Sequence, residues 1–222
     1  TGQKVKLSEM FTVYHEYLEK VRYFVRERGA YEISEGSESN AVLRMIKLYG
    51  CVPEEVYDGR NEAKYHDHSQ MADDISAYLE LVNTNNYWDE DEVANCVKVI
   101  LNKYLGEPPQ TFQYNGKNIT PIQFANDILR INPDDYVNVM STLESQFYIQ
   151  ALFDVPDNWW RDSTYYNVPL DEWYAIIKSS ISKGYSMEIG GDMSEPGDNG
   201  AEDAAIIPVF DIPQAYINQD SR

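Results

Sequence analysis

From Ser8 onward apolar side chains return at three- and four-residue spacing, at Phe11, Tyr14, Leu18, Val21 and Val25. That rhythm predicts a helix with one buried face. Arg28 and Gly29 end it, with cations in the last turn and a residue free to take a left-handed backbone. After a loop from Tyr31 to Ser37, a second helix is expected from Ser39 to Tyr49. Its inward residues are Val42, Met45, Ile46 and Tyr49, and Gly50 with Val52-Pro53 stops it. A polar stretch from Asp58 to Ser69 precedes a third helical face at Met71, Ile75, Tyr78, Leu79 and Val82. The fourth helix starts at Asp89, with Glu92 three positions on, and turns Val93, Cys96, Val97, Ile100 and Tyr104 inward.

Gly106 and Pro108-Pro109 close that helix, and Asn115-Gly116 between Thr111–Tyr114 and Lys117–Ile119 predicts a tight β-hairpin. Thr120-Pro121-Ile122-Gln123 then opens another helix, with Thr as cap, Pro in the first turn and Gln completing a capping box, ending before Asn132-Pro133. Beyond Pro133 the period changes to two. Tyr136–Met140, the aromatic-rich run Phe147–Val155 and Tyr185–Ile189 are expected as strands. Between them, Leu170, Trp173, Ile176, Ile177 and Ile181 form an amphipathic helix closed by Gly184. Asp192–Asp203 is a Gly- and acid-rich loop and the segment expected to move most. Helices first and strands afterwards indicate an α+β protein rather than an alternating α/β fold. The expected divisions are a helical lobe over 1–57, a helical insertion with a small hairpin over 58–131, and a β lobe over 132–222.

Charge changes this picture more than size does. With 18 Lys and Arg against 37 Asp and Glu, a net charge of −19 repels phosphate backbones and anionic membrane surfaces, so neither nucleic acid nor membrane is an expected partner. Aromatic residues at 13% are too many for a disordered acidic chain. No apolar run approaches the roughly 18 residues of a membrane span, and Thr1–Lys6 do not resemble a signal peptide. The opening Thr1-Gly2-Gln3 and the closing Ile217–Arg222 read as the ends of an interior segment.

Residues able to carry chemistry are few. Cys51 follows a helix C-terminus, where the partial negative charge disfavours a thiolate, and Cys96 shares an apolar face with Val93 and Ile100 and is expected in the core. Two cysteines make no disulfide framework. His66 and His68 would share one side of an extended segment, but no third or fourth ligand has suitable spacing, so no metal and no cofactor is expected. His15 lies on a helix flank as a surface or partly packed side chain. Asp154 and Asp157 beside Trp159-Trp160 imitate the paired carboxylates and aromatic platforms of a saccharide-cleaving site, a weak match in a chain with 37 carboxylates. Asn118-Ile119-Thr120 is a glycosylation triplet, informative only in a secreted eukaryotic protein.

Three stretches, in order, resemble the bleomycin hydrolase and aminopeptidase C branch of the papain-like cysteine peptidases. Leu7-Ser-Glu-Met-Phe11 resembles the segment that follows the family's catalytic-cysteine helix. Glu35-Gly36-Ser37, ahead of the helix that ends Lys47-Leu-Tyr-Gly-Cys-Val-Pro-Glu-Glu-Val-Tyr57, is similar to the Gly-Gly substrate wall and the turn after it. Tyr166–Trp173 and Lys183–Asp192 resemble the helix and strand that precede the catalytic histidine. The resemblance implies a two-lobed fold, with a helical lobe and helical insertion followed by a β lobe, and peptide cleavage by a thiolate through an acyl-enzyme. It places the catalytic Gln and Cys before Thr1 and the His and Asn after Arg222, so no catalytic residue is assigned here. The positions it carries over as substrate-binding are Glu35, Gly36 and Ser37 on one wall, and Gly190, Gly191 and Asp192 at a strand end on the other. The implied partner is a peptide substrate, a homo-oligomer is left open, and a catalytically inactive peptide-binding module is the alternative.

Overall fold

The computed structural model describes residues 4–31, 33–61 and 64–190, with the short backbone pairs 198–199 and 204–205. Helix and sheet are both present, as in an α+β protein. The chain divides into two units, one of Thr1–Tyr136 with Asp157–Trp160, the other of Val137–Pro156 with Arg161–Arg222.

The first unit is helical. Its helix α1 (Glu9–Arg26) begins where the Ser8 hydroxyl accepts from the Phe11 amide at 3.0 Å. The face it buries is Phe11, Tyr14, Tyr17, Lys20, Val21, Phe24 and Val25. Leu18, expected inside, is half-buried, because Tyr17, Lys20 and Phe24 turn the stripe by one residue. Helix α2 (Asn40–Tyr49) buries Asn40, Ala41, Met45 and Ile46, whereas Val42, expected inside, is exposed. Its end at Gly50 is set by backbone geometry: φ is +77°, and a Cβ there would fall 2.3 Å from the Pro121 carbonyl.

Helices α3 (Ser69–Thr84) and α4 (Glu90–Leu105) pack side by side, and α4 lies along α1. The start of α4 is capped by Asp89, whose carboxylate accepts from the Glu92 amide at 3.0 Å. Arg26 anchors that end to α1 through Glu90 at 2.9 Å. Val93, Val97, Leu101 and Leu105 of α4 meet Met71, Ile75, Leu79 and Val82 of α3 in one apolar cluster with the inner face of α1. Each such buried side chain contributes about 1.5–3 kcal/mol. Cys96 is exposed rather than in the core, because the buried stripe runs through Val93, Ala94 and Val97 and leaves position 96 on the outer flank.

The hairpin of β1 (Phe112–Tyr114) and β2 (Lys117–Ile119) turns through Asn115 and Gly116, both with positive φ, in the register Phe112↔Ile119 and Tyr114↔Lys117. The capping box forms, with the Gln123 amide on the Thr120 hydroxyl at 3.1 Å and the Thr120 amide on the Gln123 side chain at 2.9 Å. The helix it opens is not regular. After α5 (Pro121–Gln123) the chain widens into a π-helical segment, Phe124–Leu129, which ends on a left-handed Arg130.

In the second unit, strands β3 (Val139–Met140) and β4 (Gln150–Ala151) flank β5 (Tyr165–Asn167), the first parallel and the second antiparallel to it. The strands expected over Tyr136–Met140 and Phe147–Val155 shrink to these pairs. Upstream, Asn132-Pro133 starts a short 3-10 turn through Asp135, which takes Tyr136 out of the sheet. β5 was not anticipated. It is held by Asn167, fully buried, whose side chain accepts from the Thr142 amide at 2.9 Å and donates to the carbonyls of Thr142 at 3.0 Å and Ser145 at 2.8 Å. Helix α6 (Leu170–Ser182) buries only Ile177, so Leu170 and Ile181, expected on an inner face, are exposed. Tyr185–Ile189 is not a strand. Gly184, at φ +83°, turns the chain out of the helix, and Tyr185, Met187 and Ile189 are exposed with no strand beside them among the described residues. Of the loop expected over Asp192–Asp203, only Asp198–Asn199 is described, paired antiparallel with Ala204–Ala205.

Candidate functional site

A flank of α1 that carries both buried and half-buried side chains borders open space. Thr12, Val13, Glu16, Tyr17 and Lys20 face a cavity of about 310 Å³ in the first unit, closed on one side by Glu35–Glu38 and on the other by Ala41, Val42 and Ile46 of α2. Val42 is exposed because it lines this space. The near end is fixed by backbone bonds, with the Ser8 amide on the Val52 carbonyl at 2.9 Å and Leu7 bridged to Pro53. The walls are thus two helices tied at one end and a loop spanning them.

That loop is held by charge. Lys20 is 3% exposed, and its ammonium donates to the carbonyls of Gly36 at 2.6 Å and Ser34 at 3.1 Å. One helical turn earlier, the Glu16 carboxylate lies 3.7 Å from the same ammonium and accepts the Ser37 hydroxyl. Burial lowers the proton affinity of Lys20, and Glu16 opposes that shift. Burial, followed by the charges of Glu35 and Glu16, pushes the Tyr17 phenol up to about 12. Gly36 has φ +79°, and the nearest atom to an added Cβ would be an Asp157 carboxylate oxygen at 3.9 Å. Its conformation, not crowding, calls for glycine.

Glu35, Gly36 and Ser37 therefore share one wall, with Glu35 and Gly36 exposed. Gly190 is an exposed residue of the second unit, and Gly191 and Asp192 lie outside the described residues. Cys51 sits at the end of the cavity, 2% exposed, its thiol pushed up to about 12 by burial. Such a thiol is not a nucleophile near neutral pH. His15 is partly packed, stacked on Tyr49 at 4.1 Å and edged by Phe11 at 4.5 Å, and burial lowers it to about 4. The rings of His66 and His68 are 5.7 Å apart, while Asp67 is engaged by the Ser69 amide and hydroxyl. No group of three His, Cys, Asp or Glu among the described residues is placed to hold a metal ion. The indoles beside Asp157 are occupied within the chain, with Arg44 over Trp160 at 4.4 Å and Lys20 over Trp159 at 5.5 Å, an arrangement that does not offer a sugar platform.

Sequence reasoning missed Glu16, Tyr17 and Lys20. The signal was present: Glu16 and Lys20 are an i,i+4 acid–base pair in the good orientation, and Lys20 falls three residues after Tyr17 and four before Phe24 on the buried stripe. A charged pair on an apolar face is a marker for a tethered neighbour, since an unbonded buried ammonium is costly.

The class defined so far is an α+β chain whose helical unit carries a half-open, largely apolar cavity with a carboxylate-lined loop. No protein-family model matches the chain, and no curated protein does. Among solved structures, PepW from Lactobacillus rhamnosis HN001 superposes with a TM-score of 0.55 at 15% identity, over 82% of this chain and 50% of its own. The chain thus spans about half the length of that structural neighbour. At this identity the likeness is one of fold. No described helix is long and apolar enough to cross a membrane.

Proposed function

We propose that this chain is part of a papain-like cysteine peptidase of the bleomycin hydrolase and aminopeptidase C branch, with a helical lobe and a β lobe, and that Glu35, Gly36 and Ser37 form the wall along which the peptide lies. The observation that carries this reading is the position of the family-like Glu-Gly-Ser loop. It lines the open cavity instead of packing into the core. The backbone course shared with PepW, a peptidase-like fold, supports it. A peptide main chain would approach Gly36 where no side chain intervenes. Gly190, Gly191 and Asp192 are in this reading further substrate-binding positions. The reactive thiolate and its imidazole partner are supplied by polypeptide outside these 222 residues, because Cys51 is buried with a raised pKa and Cys96 lies on the outer flank of α4, away from the cavity. The chain's own part is to bind and orient.

A second reading is a peptide-binding module without catalysis, favoured by the same pairing of a cavity with an inert thiol. Treating the intact protein with a peptidyl thiol-directed inhibitor and mapping the modified residue separates the two. Modification of a cysteine outside Thr1–Arg222 supports the peptidase. Peptide binding without modification leaves the module, and modification of Cys51 or Cys96 overturns both.

A further inference from the structure

We propose that Lys20 is the positioning residue of the Glu35–Ser37 wall, its buried ammonium joining α1 to the loop and fixing where the Gly36 backbone stands at the cavity. The inference rests on the reading of that wall as the peptide-facing surface. It begins from a cation where none is expected, at 3% exposure on a helix face otherwise made of Phe11, Tyr14, Tyr17, Val21 and Phe24. Burying an ammonium is unfavourable unless it is paired and hydrogen-bonded. Its hydrogen bonds go to main-chain carbonyls of the loop, Ser34 at 3.1 Å and Gly36 at 2.6 Å, and the Glu16 carboxylate lies 3.7 Å away as its ion-pair partner. An ion pair serving helix stability alone would have no use for loop carbonyls.

The two members of the pair grip adjacent residues. Lys20 holds the carbonyl of Gly36, and Glu16 holds the hydroxyl of Ser37. Gly36 has a positive φ, which glycine adopts readily, and its carbonyl is held from outside the loop by the Lys20 ammonium. The ammonium also reaches a second segment, lying over the Trp159 ring at 5.5 Å. The same segment receives the Glu38 amide on the Asp157 carbonyl at 2.8 Å. One side chain therefore coordinates three stretches of chain at the foot of the wall. It touches no peptide in this arrangement, and its effect passes through the loop.

The test measures amide hydrogen exchange and peptide hydrolysis in the intact protein for Lys20→Met and for Glu16→Gln/Lys20→Met, the second removing both charges so that neither is left buried and unpaired. Exchange at residues 35–38 is expected to rise about tenfold in both variants while the Val97–Leu101 amides of α4 keep their rates. The KM for peptide should rise about tenfold with kcat within about twofold, a split that general loss of stability would not give. Should Lys20→Met fail to fold, the double variant decides. If exchange at 35–38 in the double variant stays within about twofold of the unaltered protein, the positioning role is wrong, whatever happens to hydrolysis. Faster loop exchange with an unchanged KM supports the positioning role and instead overturns the peptide-wall reading.

Discussion

The two units of this chain are organised by different forces. In the helical unit, α1, α3 and α4 share a cluster that runs from Phe11 and Tyr14 through Met71 and Ile75 to Val97 and Leu101, with most members under 5% exposed. In the second unit the described buried apolar residues are Met140, Tyr165 and Ile177, and the sheet is set by the buried amide of Asn167 instead. Tyr148, Leu170, Tyr174 and Ile181 of that unit remain exposed. Burial of apolar area scales with stability, whereas a hydrogen-bonded hub fixes geometry with little net gain. The helical unit is therefore able to hold a charged loop in place, and the cavity lies there.

Several substitutions test this contrast. Gly50→Ala is expected to cost the most, about 3–5 kcal/mol, because the new methyl meets the Pro121 backbone at a φ of +77°. A urea midpoint close to that of the unaltered protein would show that α2 and α5 are not locked together there. Leu101→Ala, fully buried in the helical core, should cost about 2–5 kcal/mol, and Ile177→Ala in α6 less than half as much. Equal losses would erase the distinction between the units.

His15 gives the helical unit a pH signature. Its folded value of about 4 lies below the ordinary 6.5, through burial first and Lys98 second. Between those values the unfolded chain takes up a proton that the folded chain refuses. His15 thus leaves stability intact above about pH 6.5 and removes about 3 kcal/mol as pH falls toward 4. The difference in unfolding free energy between the unaltered protein and His15→Phe, followed across that range, should carry this slope, and parallel curves would contradict it. Asn167→Ala is expected to cost about 1–3 kcal/mol by stranding the Thr142 amide. Its exchange signature should be confined to the β3–β5 region, with α4 unaffected.

The same contrast explains what the sequence made legible. Helical rhythm, the Asp89 cap, the Thr120 capping box and the Asn115-Gly116 turn are local codes, and each appears where its residues stand. Two of the expected strands survive only as the short pairs β3 and β4, a third is absent and β5 is unexpected, because strand pairing depends on a partner elsewhere in the chain. Tyr165-Tyr166-Asn167 is a three-residue strand held by a loop more than twenty residues upstream, which no short window contains. The Glu35–Ser37 loop could be singled out through its resemblance to a known substrate wall, while the grip of Glu16 and Lys20 on it could not. That grip arises only when the chain folds back on α1. Cys96 was misassigned for a simpler reason: a helix face read at spacings of three and four has two edges, and position 96 falls on the outer one.

The claim on which the account turns is that a peptide lies against residues 35–37. Hydrogen exchange of the intact protein with and without a bound, non-cleavable peptide addresses it directly. The account predicts protection at residues 35–38 and at the cavity-facing side of α1 from Thr12 to Lys20, with the exposed outer face of α3 unchanged. Protection elsewhere, with residues 35–38 exchanging at the free rate, would contradict it.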